Sequence, residues 1–240
     1  MRGDERIWDT SSESLYSARR DSSKVMSIFR VEGKNYFFSL SCVLFRVRGQ
    51  HKVFRSAPTK ILAMELSDHF GTSKLDEPNL DETVENIHLC GYANENNGGD
   101  KDGRPPTNHW TIFLQTIHQR SVKVDMIPGD GEDGLQGYIL LESKKYAMTN
   151  KGIKSVTFAP MNRLPVKDVI TIIMANGRDR YMFTEDEEGC RFWICTVVKD
   201  LEDAKKIVEG SEAVARHTLS YYWEFPTGST PRKMESGTFF

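Results

Sequence analysis

The chain has no apolar run approaching the ~18 residues that a membrane-spanning helix needs. Residues Met1–Ser23 carry acids throughout and hold no apolar signal core. These absences predict a soluble, cytoplasmic protein that engages no membrane. Cysteine is scarce. Cys42, Cys90, Cys190 and Cys195 form no CxxC pair, and the last two lie five apart in one predicted helix. That spacing suits neither a disulfide nor a zinc site, so a reduced protein with no metal and no cofactor is expected. No internal repeat is visible, and nothing in the pattern indicates an oligomeric state.

Acidic residues are missing from Gly33 to Met64, although the whole chain is nearly balanced at a formal net charge of −2. Lys34, Arg46, Arg48, Lys52, Arg55 and Lys60 are interleaved there with Tyr36, Phe37, Phe38, Phe45 and Phe54. Cations beside aromatics suit phosphate contact and base stacking, as on RNA; strands with a solvated basic face would give the same pattern. With 240 residues and 38% hydrophobic content, the chain can bury a core as one domain. The expectation is a mobile tail over 1–24, a single α+β domain over 25–225, and a Pro- and Gly-containing tail over 226–240.

Hydrophobic periodicity predicts strands over 25–31, 36–47, 87–92, 109–114, 121–126, 138–142 and 153–158, and a short helix over 61–70. Residues 93–107, rich in Asn, Gly and Pro, read as a long polar loop. Pro165 opens a helix whose stripe is Val166, Val169, Ile170, Ile173 and Met174 and whose stop is Gly177. A second helix runs from Cys190 to Val208, and a third from a Ser211 cap to about Tyr222. Strands precede helices, which predicts an α+β fold with an antiparallel sheet packed against helices.

The second helix begins with a thiol. Backbone N–H groups of a first helical turn favour thiolate, the form that attacks carbonyls, although Cys190 on an apolar stripe could equally be core. His109 and Asp125 alternate with the apolar positions Trp110, Ile112, Leu114 and Val122, Val124, Met126 of two adjacent predicted strands. If these form a hairpin with matched apolar faces, His109 and Asp125 share the opposite face, where the carboxylate could fix the imidazole tautomer. Cys190, His109 and Asp125 are therefore the candidate catalytic residues. A surface His beside a surface Asp is the plainer alternative.

The stretches Asn108-His109-Trp110-Thr111-Ile112-Phe113-Leu114, Pro165-Val166-Lys167-Asp168-Val169-Ile170 and Gly189-Cys190-Arg191-Phe192-Trp193, with Asp125 between the first two, resemble the permuted papain-like fold of the lecithin:retinol acyltransferase group. There a strand-borne His precedes a helix-borne Cys. Asp125 stands where those enzymes often carry a second His, and their Asn-Cys-Glu-His-Phe motif is missing. The resemblance therefore implies the fold and the thiol chemistry rather than a lipid substrate.

A second resemblance spans most of the chain after Ile87. Asn108-His109-Trp110, Asp125-Met126-Ile127-Pro128-Gly129, Asn176-Gly177-Arg178-Asp179-Arg180-Tyr181, Glu188-Gly189-Cys190-Arg191-Phe192-Trp193 and Leu219-Ser220-Tyr221-Tyr222-Trp223 resemble the fungal arginine-containing cyclodipeptide synthases. This implies transfer of arginine from arginyl-tRNA to a second amino acid, free or tRNA-borne, to form a cyclic dipeptide. Asp179, Glu185 and Glu188 are then candidate contacts for the guanidinium, with Tyr181 and Trp110 as further substrate contacts. Arg46, Arg48, Lys52 and Arg55 are candidate tRNA contacts. A thiol hydrolase and a non-catalytic binding module are the alternative readings.

Overall fold

In the computed structural model the described residues are the strands of 27–54, for which the backbone alone is described, and 66–94, 103 and 105–240. The chain divides into two compact units, Met1–Ala63 and Met64–Phe240, rather than the single domain expected over 25–225. Residues 1–24, Arg48 and Arg55 lie outside the described residues, as do the side chains of Arg46 and Lys52.

Among the described residues, the first unit contains four antiparallel strands in sequence order: β1 (Ser27–Val31), β2 (Lys34–Ser39), β3 (Cys42–Val47) and β4 (Gln50–Phe54). The single strand expected over 36–47 is thus two, paired through Ser39↔Cys42. Apolar runs cannot place a reversal this tight, because both arms have the same period.

The second unit is α+β and mostly antiparallel. Its strands are β5 (Phe70–Lys74), β6 (Val84–Ala93), β7 (Asn108–Thr116), β8 (Arg120–Asp130), β9 (Gln136–Lys144), β10 (Lys154–Phe158), β11 (Tyr181–Met182), β12 (Tyr221–Trp223), β13 (Ser229–Pro231) and β14 (Thr238–Phe239). The main sheet runs β10-β6-β7-β8-β9-β11-β14, with β5 added parallel to β9, while β12 and β13 pair separately. The helices are α1 (Val166–Ala175), α2 (Cys190–Asp203) and α3 (Ser211–Leu219). None of the described helices is long and apolar enough to cross a membrane.

The core explains the register. Trp110, Ile112 and Leu114 of β7 and Val122, Val124 and Met126 of β8 are all buried, packed in one cluster with Val169, Ile170 and Ile173 of α1 and Trp193, Ile194 and Val197 of α2. A slip of one residue would move these side chains to the other face, so the apolar match selects the pairing Leu114↔Val122 and Ile112↔Val124. Gly91, opposite Trp110, leaves room for the indole: a Cβ there would sit 2.7 Å from the ring.

Three boundaries depart from the periodicity. No helix occupies 66–70: Phe70 instead starts β5, pairing with Ile139, while 61–65 lie outside the described residues. α2 ends at Asp203, short of Val208, because Lys205 takes a left-handed conformation (φ 55°) and the Lys205 and Lys206 N–H groups bond back to Glu202 and Leu201. α3 ends at Leu219, and Tyr221–Trp223 becomes a strand. The expected tail over 226–240 is likewise structured, carrying β13 and β14. These strands are too short for a period-2 signal, and the partner of β14, β11, is distant in sequence.

Candidate active site

The β7–β8 ladder runs from Thr116↔Arg120 to Ile112↔Val124. Continuing that register puts Asp125 opposite Thr111 and diagonal to His109, within side-chain reach. His109 Nε2 and Asp125 Oδ1 are 2.7 Å apart. The other carboxylate oxygen accepts from Lys123 Nζ at 2.6 Å. Lys123 in turn lies 3.8 Å from Glu142, whose carboxylate also pairs with Lys144 (2.9 Å) and Lys74 (3.2 Å). Asp125 is therefore held at both oxygens, and its rotamer is dictated by two cationic partners.

Cys190 enters beyond the open end of that ladder. It is the first residue of α2, after Gly189 at the N-cap with φ 150°. That conformation belongs to glycine, and a Cβ there would sit 2.6 Å from the Tyr181 hydroxyl, so the approach to Cys190 leaves no room for a side chain. The His109 ring and the backbone N–H of Trp110 act on the thiol, and both lower its pKa. With Nε2 engaged by Asp125, Nδ1 is the ring nitrogen left for sulfur. Cys190 is half-buried, and the His109 side chain keeps 28% of its exposure, so the pair can be reached from solvent.

The electrostatics follow from these neighbours. Burial pushes the Cys190 thiol up, but the His109 hydrogen bond and charge, the Trp110 N–H and the Arg191 charge outweigh it, and its pKa is lowered. Burial pushes His109 down, yet the Asp125 and Cys190 hydrogen bonds and charges raise it to about 10. Burial likewise raises Asp125, but His109 and Lys123 bring it below the usual carboxylate value. Each member favours the charged form of the next, which biases the three toward a thiolate–imidazolium–carboxylate series. The other two described thiols behave oppositely: burial pushes Cys90 up to about 11 and Cys195 up to about 12.

The remaining candidates have other partners. Trp110 is fully buried in the core. Tyr181 is buried too, and its hydroxyl donates to the Gly189 carbonyl at 3.0 Å while accepting from the Gly237 N–H at 2.9 Å. Both residues support the site from within rather than face a substrate. Glu188 is buried and pairs with two of the protein's own guanidiniums, Arg191 at 3.3 Å and Arg232. Asp179, also buried, accepts from Ser67 Oγ at 2.7 Å. Neither carboxylate is open to a substrate cation. Glu185 is exposed on the turn closed by the Thr184 and Glu188 backbones. No cluster of three or more metal-ligating side chains occurs among the described residues.

Sequence reasoning missed Lys123, Arg191 and Arg232. Lys123 shares strand parity with Asp125, two residues away. That spacing was readable in the alternation, whereas nothing local pairs Arg232 with Glu188.

A family model described as a domain of unknown function, DUF7770, matches residues 87–240. That stretch is more than half of the chain and holds all three residues of the series, and the protein belongs to this family. No curated protein and no solved structure matches the chain.

Proposed function

We propose that the protein is a thiol-dependent acyltransferase on a permuted papain-like arrangement, with Cys190 as nucleophile, His109 as proton carrier and Asp125 as its orienter. The observation that carries this reading is the His109–Asp125 pair, 2.7 Å apart, beside a Cys190 thiol whose pKa His109 lowers, assembled from a helix start and two neighbouring strands. A core cysteine needs no imidazole, and a surface His needs no carboxylate held from both sides. The permuted assignment rests on chain order, His109 on β7 before Cys190 at the start of α2, and on that helix packing against the sheet.

For the acyl group we take arginine, delivered as arginyl-tRNA, on the resemblance of the segments around His109, Asp125, Tyr181 and Cys190 to arginine-containing cyclodipeptide synthases. The Cys190 thiolate attacks the ester carbonyl. The carbon–oxygen bond to the tRNA ribose breaks, and the His109 imidazolium protonates the departing oxygen. The amine of the second aminoacyl group then attacks the thioester; His109 takes the proton, and Cys190 leaves as thiolate. Ring closure needs a second activated carboxyl, because a free carboxylate carries no leaving group, so the second residue is also tRNA-borne. A charged-tRNA substrate places the reaction in the cytoplasm. On composition, the basic and aromatic segment 33–64 is the stretch assigned to tRNA. Of the acids proposed for the guanidinium, Glu185 is the one that stands exposed.

The test is mass spectrometry of products from purified protein, arginyl-tRNA and a mixture of charged tRNAs, with Cys190→Ala as control. A cyclic dipeptide that depends on Cys190 supports the proposal. Free arginine alone would assign a hydrolase, and no turnover with no acyl adduct on Cys190 would leave a binding module.

A further inference from the structure

Residues 229–240 lie far from the Cys–His pair in sequence, yet they meet both segments that carry it. Arg232 follows β13, and its side chain retains only 10% of its exposure. One end of its guanidinium pairs with Glu188, two residues before Cys190. Its Nε donates to the Pro106 carbonyl at 3.1 Å, three residues before His109, and Nη2 also reaches the Pro105 carbonyl at 3.4 Å. Its own backbone is fixed as well, the N–H donating to Ser220 at 2.8 Å. Arg191, next to the thiol, closes the other side: it donates to the carbonyls of Arg232 (3.2 Å) and Lys233 (2.7 Å) and pairs with Glu188. Glu188 is thus a buried carboxylate shared between two guanidiniums, one on α2 and one on the C-terminal segment.

We infer that Arg232 is a positioning residue, a side-chain tie that holds the His109-bearing approach to β7 against the Cys190-bearing start of α2 and thereby sets the distance between thiol and imidazole. The inference rests on the reading of Cys190 and His109 as a reacting pair. Planarity matters here. A guanidinium presents several N–H groups in one fork and can satisfy a carboxylate and two backbone carbonyls together, which a lysine ammonium on a flexible stem does not reproduce. Removing it would take one guanidinium from Glu188 and leave the Pro105 and Pro106 carbonyls without this donor. The negative charge that Arg232 offsets would then weigh more on the nearby thiol. The groups that act on sulfur are His109 from β7, Arg191 from α2 and Tyr181 from β11, with Glu188 paired to Arg191, and with Asp125 and Lys123 behind His109.

The experiment compares full-length wild type, Arg232→Lys, Arg232→Met and Glu188→Gln. Alkylation of Cys190 is followed by peptide mass spectrometry from acid to alkaline pH, and amide exchange is followed over 105–109 and 188–191. In Arg232→Met, Cys190 alkylation at pH 7 should slow about tenfold and its pH midpoint should rise by about one unit. Both backbone segments should exchange faster together. Arg232→Lys should fall between Arg232→Met and wild type, because it keeps the charge and loses the fork. Glu188→Gln should speed exchange in both segments without raising the midpoint, because it removes the carboxylate charge along with the pairing. A folded Arg232→Met or Arg232→Lys with wild-type midpoint and wild-type exchange would overturn the tie. If Arg232→Met does not fold, Arg232→Lys and Glu188→Gln decide through exchange. Failure of the underlying reading looks different: wild-type Cys190 would label no faster than Cys90 or Cys195, while the exchange result would still decide the tie.

Discussion

Lys123 and Asp125 project from alternate residues of β8, and Nζ stands 2.6 Å from Oδ2 while His109 Nε2 takes Oδ1 at 2.7 Å. Asp125 therefore cannot rotate to serve one partner without losing the other. Its role is to orient the imidazole and to stabilise its charge, and the lysine keeps the carboxylate ionised and aimed.

Replacing Asp125 should test that role. Asp125→Ala frees the imidazole ring and leaves Lys123 with Glu142, and acyl transfer should fall by about 10² to 10⁴, the range seen when an orienting carboxylate is lost. Asp125→Asn should lose about as much, because Lys123 claims the amide oxygen and turns the NH2 toward Nε2, which imposes the wrong imidazole tautomer. Single-turnover rates at saturating substrate check this, with circular dichroism to verify folding.

Thiol reactivity should separate the cysteines. At neutral pH iodoacetamide should modify Cys190 and spare Cys90 and Cys195, whose thiols burial holds up at about 11 and about 12. His109→Ala removes the largest influences that lower the Cys190 value and should slow its labelling by about tenfold or more. Equal labelling of these three thiols would remove the activated pair.

Stability should carry the same signature with pH. His109 titrates near 6.5 when unfolded and is raised to about 10 in the fold. Its contribution to stability is therefore complete below about 6.5 and drains away as pH rises from there to about 10. Asp125, lowered in the fold, contributes fully above its ordinary value of 3.8 and loses that contribution as pH falls through the lower folded value. Cys190, lowered from its ordinary 9.0, contributes in the opposite sense as pH rises toward that value, so urea midpoints for wild type should change little from pH 7 to about 9 and decline above it, and the decline due to His109 should be missing in His109→Ala.

Gly189→Ala should destabilise the fold by about 1–3 kcal/mol, since the new Cβ meets both an unfavourable φ and the Tyr181 hydroxyl. Tyr181→Phe relieves part of that clash but drops the hydrogen bonds to Gly189 and Gly237. Denaturant unfolding of the two single variants and the double variant should show coupling between them.

Asn108 grips the backbone of Trp223 with both ends of its amide, Nδ2 donating to the carbonyl at 3.0 Å and Oδ1 accepting from the N–H at 2.7 Å. Asn108→Ala should cost about 1–3 kcal/mol by leaving buried backbone groups unpaired. Asn108→Asp keeps the acceptor but sets a buried carboxylate oxygen against the Trp223 carbonyl, so it should cost at least as much at neutral pH and less in acid. Thermal unfolding measures both.

Much of the site was legible in the sequence. Alternation put His109 and Asp125 at equivalent positions of adjacent strands, because burying Trp110, Ile112 and Leu114 against the helices leaves one parity for the rest. The helical stripe after Gly189 put Cys190 on a first turn. The α+β class followed from strands preceding helices. These are consequences of local period and of the apolar match between neighbouring strands, both of which a linear chain records.

What tertiary structure alone decided is which charges are spoken for. Glu188, Asp179, Tyr181 and Trp110 have the composition of a binding site, yet burial and the partners Arg191, Arg232, Ser67 and Gly189 make them parts of the scaffold. Residues 226–240 have the composition of a tail, yet β13, Arg232 and β14 join that segment to β12, Glu188 and β11. Several of these pairings, Arg232 with Glu188 and β14 with β11 among them, join residues more than forty positions apart. They form because desolvating a charge or a backbone group demands a partner, and which partner is close enough is fixed only when the strands and helices have packed.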